Sequence, residues 1–204
     1  MPYDRIFLLS PARCGGKRAE LVFNDRAEFD LARKIREANG VPIGEAFSFL
    51  SGLYFRGKLA YSRHFAGHDN TYAITSNRGL LPVHTRITLS DLRAFGSVDI
   101  DADDERYRVP LERDARALLS RISPEAQIIL LGSVASGKYV NVLLEVFGDR
   151  LHFPQDFVGR GDMSRGGLML RCVEEQRELT YIPVLGAVRS GKRPPKLTPR
   201  RTCG

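Results

Sequence analysis

The side chains best able to do chemistry lie in polar, glycine-containing loops that follow short apolar segments. The loop after the first such segment contains Arg13, Lys17 and two glycines, and its backbone N–H groups and cations suit a phosphate. A second stretch, residues 157–167, combines four glycines with polar side chains that include Arg160, Ser164 and Arg165. Because glycines allow close approach and arginines clamp phosphates, this stretch suits a nucleic-acid backbone.

Two further side chains and one aromatic stretch can each be interpreted in two ways. Asp162 lies between two arginines, where it is either a catalytic acid held ionised or, with a slight preference, their ion-pair partner. The aromatic stretch from Phe47 to Phe55 is either a platform under a flipped base or part of the core. Cys14, near Arg13 and Lys17, is either a thiolate with a lowered pKa or a small packed residue.

The segment 132–139 reads GSVASGKY and follows the GxxxxGK[ST] pattern of a phosphate-binding loop except at its last position. Tyr139 stands where that pattern has the Ser or Thr whose hydroxyl holds magnesium. A tight glycine turn that packs a helix onto the sheet therefore fits this segment better than nucleotide hydrolysis does. Ser133 and Lys138 remain candidates for phosphate contact.

The elements that position these loops alternate between strands and helices. Apolar runs predict strands at 5–10, 72–76, 127–132, 150–153 and 178–184. Helical spacing predicts helices at 28–39, 58–65, 90–95 (capped by Ser90), 110–122 and 138–147. This alternation predicts a three-layer α/β/α sandwich with a largely parallel central sheet. In such a sheet, ligands bind where loops leave the carboxyl ends of the strands.

Composition sets the broad class of protein. The 204 residues are 43% hydrophobic and 27% charged, which is typical of a globular domain, and no apolar run is long enough for a membrane span. We therefore expect one domain over residues 1–188, a cytoplasmic location and no membrane partner. Three scattered cysteines with no CxxC spacing support neither a zinc ribbon nor a four-cysteine iron–sulfur cluster. We expect no metal and no cofactor.

Charge is concentrated at the carboxyl end of the chain. The net charge is +7, and residues 189–204 supply six of these charges with no acid among them. Prolines in this segment predict a basic, disordered tail that adds affinity for a polyanion. An acidic run from Asp99 to Glu105 is expected to be a solvated loop rather than a metal site.

The order of these segments resembles the uracil-DNA glycosylase-like superfamily. The matching segments, in chain order, are Ile6–Arg13, Ala46–Phe49, Tyr72–Asn77 with the following Leu80–Pro82, Pro124–Ala135 and Phe153–Arg165. The resemblance implies that Phe47, with Tyr54, stacks on an extruded base and that Asn77 reads the edge of that base. It also implies that residues 1–188 form a single glycosylase-like domain.

The resemblance implies a DNA glycosylase, without a cofactor, that removes a damaged or enzymatically modified base in DNA repair or anti-phage defence. The first loop holds no carboxylate, so the catalytic acid must lie elsewhere; Asp162 is preferred over Glu45, and Asp156 is a third candidate. The residues expected to grip the DNA backbone are Arg13, Lys17, Ser133, Lys138, Arg160, Ser164 and Arg165.

A weaker resemblance links the chain to the YaaA family of DNA-binding peroxide-stress proteins. It depends on Ser10-Pro11-Ala12 and on Ser51-Gly52-Leu53-Tyr54. The alternative that it implies is a nucleic-acid-binding protein without catalysis. A nucleotide-binding enzyme that uses residues 132–138 is the third and least favoured alternative.

Overall fold

The computed structural model describes residues 5–195 and 197–198. Its strands are β1 (Arg5–Leu9), β2 (Val41–Pro42), β3 (Thr71–Ile74), β4 (Leu80–Pro82), β5 (Arg86–Ile87), β6 (Gln127–Leu131), β7 (Leu151–Pro154) and β8 (Tyr181–Pro183). Its α-helices are α1 (Lys17–Phe23), α2 (Asp30–Lys34), α3 (Ile43–Ser51), α4 (Leu53–Ala66), α5 (Leu89–Gly96), α6 (Glu105–Leu119), α7 (Gly137–Phe147) and α8 (Asp162–Glu174).

Six strands form the central sheet in the order β4-β3-β1-β6-β7-β8. The four inner strands are parallel, and the two edge strands, β4 and β8, pair antiparallel to their neighbours. Strand β1 lies in the middle, with Phe7 opposite Thr71 of β3 on one side and Ile129 of β6 on the other. This arrangement confirms the predicted α/β fold with a mostly parallel sheet.

Helices cover both faces of the sheet because its inner strands are apolar on both faces. Phe7 and Leu9 of β1 contribute to the core that α3, α4 and α8 cover, whereas Ile6 and Leu8 contribute to the core under α6 and α7. Strand β6 repeats this alternation. Strands that are buried on both faces read as continuous apolar runs, which is why β1 and β6 were predicted well.

The chain changes direction across the sheet between β1 and β6. From β1 it crosses to β3 through helices on one face, and it then returns to β6 through α6 on the other face. The loops that leave β1 and β6 therefore diverge, and a crevice between them at the carboxyl edge of the sheet is the expected ligand site of such a fold.

Several predicted elements differ from the observed ones. The expected helix at 28–39 is only α2, because the Arg36 guanidinium donates hydrogen bonds to the carbonyls of Ala27, Ala32, Val22 and Asn24 and ties these turns together. The helix predicted from Ser90 is capped instead by Thr88, which forms a capping box with Asp91.

The largest difference is in the stretch 157–167, which was expected to be a glycine-rich loop. Its second half is the start of α8, a helix of 13 residues. Gly166 lies within α8 in spite of its poor helix propensity, because α8 packs there directly on the backbone of α4. The aromatic stretch 47–55 is likewise helical and forms the end of α3 and the start of α4.

The described part of the tail, residues 189–195 and 197–198, contains no helix or strand. Leu197 packs against the core that α4 and α8 cover, and the Arg171 guanidinium donates a hydrogen bond to the Thr198 carbonyl. The rest of the predicted tail lies outside the described residues. None of the helices in the described ranges has the length and apolar composition that crossing a membrane requires.

Candidate active site at the carboxyl edge of the sheet

A pocket of about 280 Å³ opens at the carboxyl edge of the sheet, and we call it the strand-end pocket. The loop after β1, the end of β3 and the end of α5 form its walls. The lining residues are Pro11, Ala12, Arg13, Cys14, Gly15, Phe47, Ser76, Phe95, Gly96, Val98, Asp99 and Ile100. Because typical pockets for drug-sized ligands hold roughly 300–1,000 Å³, this volume suits a small planar group.

The strand-end pocket combines an aromatic wall with two opposite charges. The rings of Phe47 and Phe95 meet edge to face, with their centroids 6.1 Å apart. Arg13 and Asp99 are exposed, and neither side chain forms an ion pair or hydrogen bond with another described residue. A cation and a carboxylate thus lie at this pocket, and the Arg106 guanidinium is close enough to Asp99 to interact with its charge.

Cys14 does not supply a reactive thiolate to the strand-end pocket. Its thiol is buried and lies 3.5 Å from the Ala12 carbonyl oxygen. Burial raises the pKa of the Cys14 thiol to about 12, so the sulfur stays protonated at neutral pH. The packed interpretation of Cys14 therefore holds, and the thiolate interpretation is wrong.

A fully buried lysine lies next to the end of β1. Lys58 projects from α4, and its Nζ donates hydrogen bonds to the Ser10 carbonyl oxygen at 2.6 Å and to Ser10 Oγ at 2.9 Å. The same Nζ lies 4.3 Å from the ring centroid of Tyr54 and 4.7 Å from that of Phe55. Both oxygens are neutral, so no carboxylate bonds this amine directly.

The electrostatic surroundings of Lys58 favour its neutral form. Burial lowers the pKa of the Lys58 amine to about 7, with Asp162 opposing this change and Arg165 adding to it. Asp162 is a weak partner for the amine because its side chain is 67% exposed and lies 3.5 Å from Arg165 Nη1. The predicted ion pair of Asp162 is confirmed for Arg165.

Two helices bring this cluster together through a close backbone contact. A Cβ atom on Gly57 of α4 would lie 2.6 Å from the Gly166 carbonyl oxygen, and one on Gly166 would lie 2.7 Å from that of Leu53. Only glycine at both positions lets α4 and α8 approach so closely. This contact places Arg165, next to Gly166, beside Tyr54 and Lys58.

Arg165 was expected to grip a phosphate, but its guanidinium is buried. It donates two hydrogen bonds to the Phe157 carbonyl oxygen, at 2.9 and 3.2 Å, and pairs with Asp162. Tyr54 was expected under a flipped base, but it is also buried and does not line the strand-end pocket. Burial raises the pKa of the Tyr54 hydroxyl to about 12, and the neighbouring Arg165 guanidinium opposes this rise.

The other predicted base-binding residues lie at or near the strand-end pocket. Phe47 lines it, although the ring is otherwise fully buried against Phe55 and Phe95. Asn77 follows the lining residue Ser76, and its Nδ2 donates to the Ala94 carbonyl at 2.9 Å. Glu45 is on the exposed side of α3 and lines none of the described pockets, so the structure does not join it to the site.

The remaining predicted phosphate-binding residues are distributed along the carboxyl edge. Lys17 is the first residue of α1 and Lys138 is the second residue of α7, and both are exposed. Ser133 lies in the loop after β6 and is half-buried. Arg160 donates to the Asp156 carbonyl at 3.0 Å and to Ser164 Oγ at 3.1 Å, just before α8. The side chains of Lys17, Lys138 and Arg160 form a cationic rim, and the buried Arg165 is not part of it.

Two residues of the site were missed from the sequence. Lys58 follows Tyr54 and Phe55 by four and three residues, so helical spacing alone puts it on the apolar stripe of α4. Asp99 belongs to the acidic run that was expected to be only a solvated loop, and no local pattern distinguishes it from its neighbours.

Comparison of the chain with protein-family models, with curated proteins and with solved structures gives no match. The resemblance to the glycosylase-like superfamily therefore stays a prediction drawn from short motifs.

Proposed function

We propose that this chain is a DNA glycosylase that takes an extruded damaged or modified base into the strand-end pocket and hydrolyses its N-glycosidic bond. The observation that carries the proposal is the pocket itself, which joins the loop after β1, the end of β3 and Phe47 in one cavity. The sequence resemblance implies base binding for two of these segments, Phe47 and the end of β3, and a catalytic role for the loop after β1. Base extrusion needs such a pocket because the glycosidic bond is inaccessible inside a duplex.

The aromatic wall of the pocket suits a base. Phe47 and Phe95 contribute small apolar patches to the pocket, because both rings are almost fully buried, and a base would contact these patches rather than stack on an open ring face. Ser76 lines the pocket just after β3, and because its hydroxyl donates to the Phe95 carbonyl oxygen at 2.7 Å, its own oxygen is left to accept a hydrogen bond from a base. The neighbouring Asn77 was expected to read the edge of that base. The binding of the base thus depends on residues from β3, α3 and α5.

The two charges of the pocket match the charges of the reaction. Breaking the N-glycosidic bond leaves an oxocarbenium-like sugar, which a nearby carboxylate stabilises. Asp99 takes this role in the proposal in place of Asp162, because Asp99 lines the pocket whereas Asp162 pairs with Arg165. Arg13 is free to hold the adjacent phosphate, and Lys17 and Lys138 extend the cationic rim along the DNA.

The proposal is tested by the release of abasic sites. Purified protein is incubated with plain DNA, with uracil-containing DNA and with phage DNA that carries hydroxymethylated or glucosylated cytosine, and alkali then cleaves any abasic site. Strand breaks confined to one substrate support the proposal and identify the class of base. Salt-sensitive binding to every DNA without breaks overturns it and leaves a nucleic-acid-binding protein.

A matched pair of variants tests the assignment of Asp99. We expect Asp99→Asn to lower the rate by about 100-fold or more, the usual scale for losing one electrostatic stabiliser of a transition state. Asp103→Asn is the control, because Asp103 is an exposed carboxylate of the same acidic run that does not line the pocket. Equal rates for the two variants would remove Asp99 from the mechanism.

A further inference from the structure

Lys58 and Ser10 form a buried amine–hydroxyl pair next to the loop that lines the strand-end pocket. Ser10 directly follows β1, and the next residue, Pro11, lines the pocket. Gly132, after β6, lies against the pair from the other side, because a Cβ there would be 2.9 Å from Ser10 Cβ and 3.2 Å from Ser10 Oγ. The pair therefore lies between the ends of β1 and β6, whereas the strand-end pocket opens on the β3 side of the same loop.

We propose that Ser10 and Lys58 act as a proton-accepting pair that activates the attacking water for a substrate in the strand-end pocket, an inference that rests on the proposed function. The distance of 2.9 Å between Lys58 Nζ and Ser10 Oγ allows a hydrogen bond in either direction. In the charged state the amine donates to the hydroxyl, and in the neutral state its lone pair accepts from it. The pair can thus take up a proton without moving.

Every charged or titratable group near Lys58 is consistent with this role. Neutral ring faces of Tyr54 and Phe55 surround it on α4, and only the Ser10 oxygens contact it from β1. From α8 it faces Asp162 and Arg165, whose opposite charges are already paired. Burial therefore dominates and lowers the pKa of the amine to about 7, which is the range that suits a general base.

The proton transfers balance in a single hydrolysis. Neutral Lys58 accepts the Ser10 hydroxyl proton as the Ser10 oxygen takes a proton from water, and the water oxygen bonds to the anomeric carbon. The bond between that carbon and the base nitrogen breaks, and its electron pair leaves with the base, which takes a proton from solvent. Lys58 then returns its extra proton to solvent through Ser10, so that one water is consumed.

The first measurement is the titration of the Lys58 amine in the folded full-length chain, by NMR of ¹⁵N- and ¹³C-labelled lysine. We expect its signals to titrate near pH 7 and to shift in Ser10→Ala, while the exposed Lys34, which pairs with Asp30, stays charged above pH 9. A Lys58 that stays charged up to pH 9 overturns the inference whether or not the chain acts on DNA.

The second measurement is the pH dependence of base release. Ser10→Ala and Lys58→Met are each expected to lower kcat by about 100-fold or more, with KM within about twofold, and to remove the loss of activity below pH 7. The double variant should be no slower than either single one, because the two residues act as one unit. Lys34→Met is the control and keeps the wild-type profile.

The two proposals fail separately. If the wild type releases no base from any DNA, the proposed function falls, and the titration alone decides the Ser10–Lys58 pair. If the wild type is active and Ser10→Ala keeps the wild-type rate and pH profile, the inference falls while the glycosylase stands. Ser10→Ala keeps Lys58 in place, so the test does not depend on whether Lys58→Met folds.

Discussion

Replacing Gly166 with alanine tests whether the α4–α8 contact assembles the site. The new Cβ would lie 2.7 Å from the Leu53 carbonyl oxygen and 2.9 Å from Tyr54 Cα. Both are backbone atoms of a packed helix, so α4 and α8 must move apart by several tenths of an ångström. Overpacking of this kind costs about 1–3 kcal/mol, and the better helix propensity of alanine offsets about 1 kcal/mol of that cost.

We therefore expect Gly166→Ala to lose up to about 2 kcal/mol of unfolding free energy, which lowers Tm by up to about 8 °C in a chain of this size. The control is the neighbouring Gly167→Ala, whose Cβ would meet only the flexible Leu197 side chain, at 3.4 Å. It keeps the gain in helix propensity without the clash, so its Tm should rise by about 2–4 °C.

Thermal unfolding followed by circular dichroism measures both variants under one set of conditions. Opposite signs for the two changes in Tm are the expected result, since the residues are adjacent in one helix and differ only in what faces them. If Gly166→Ala proves as stable as Gly167→Ala, then α4 and α8 do not meet as closely as described, and the placement of Arg165 beside Lys58 is wrong.

Three further predictions concern single side chains. Because burial lowers the Lys58 pKa to about 7, the unfolded chain binds more protons than the folded chain above pH 7. Unfolding free energy should therefore rise by about 2 kcal/mol from pH 7 to 8.5, before the thiols of the unfolded chain titrate, and urea titrations of Lys58→Met should show no such rise. Because burial raises the Cys14 pKa to about 12, alkylation by iodoacetamide at pH 8 should modify Cys14 far more slowly in folded than in urea-unfolded protein, as peptide mass mapping would show. Thr88→Ala should lose about 1 kcal/mol in urea unfolding and Ser90→Ala much less, and the reverse order would restore the cap predicted from the sequence.

The sheet could be predicted from sequence because its central strands carry their own signal. Residues 127–131 are a short apolar run after a proline. Because both faces of this strand are buried, its residues are apolar at nearly every position rather than alternating with polar ones. Helix α7 could be predicted too, since its apolar residues recur at helical spacing after a glycine turn. Local chemistry and tertiary packing agree in these elements.

Helix α8 could not be predicted, because its sequence and its packing disagree. Gly166 and Gly167 weaken the helix locally, and only the backbone of α4 against Gly166 explains why glycine is suited to that position. The same limit applies to the site. Phe47 and Arg13 were found because each follows a recognisable motif, whereas Asp99 joins them only through the path of the chain after α5.

The burial of Lys58 has a cost that its structural contacts do not explain. An apolar side chain of similar length would fill the same space between α4, α8 and β1 without desolvating an amine. The two hydrogen bonds to Ser10 satisfy the amine, but a serine at the end of a strand does not need a buried lysine to be satisfied. A titratable group at this edge of the sheet, one residue from the pocket wall, is more simply explained by proton transfer than by packing.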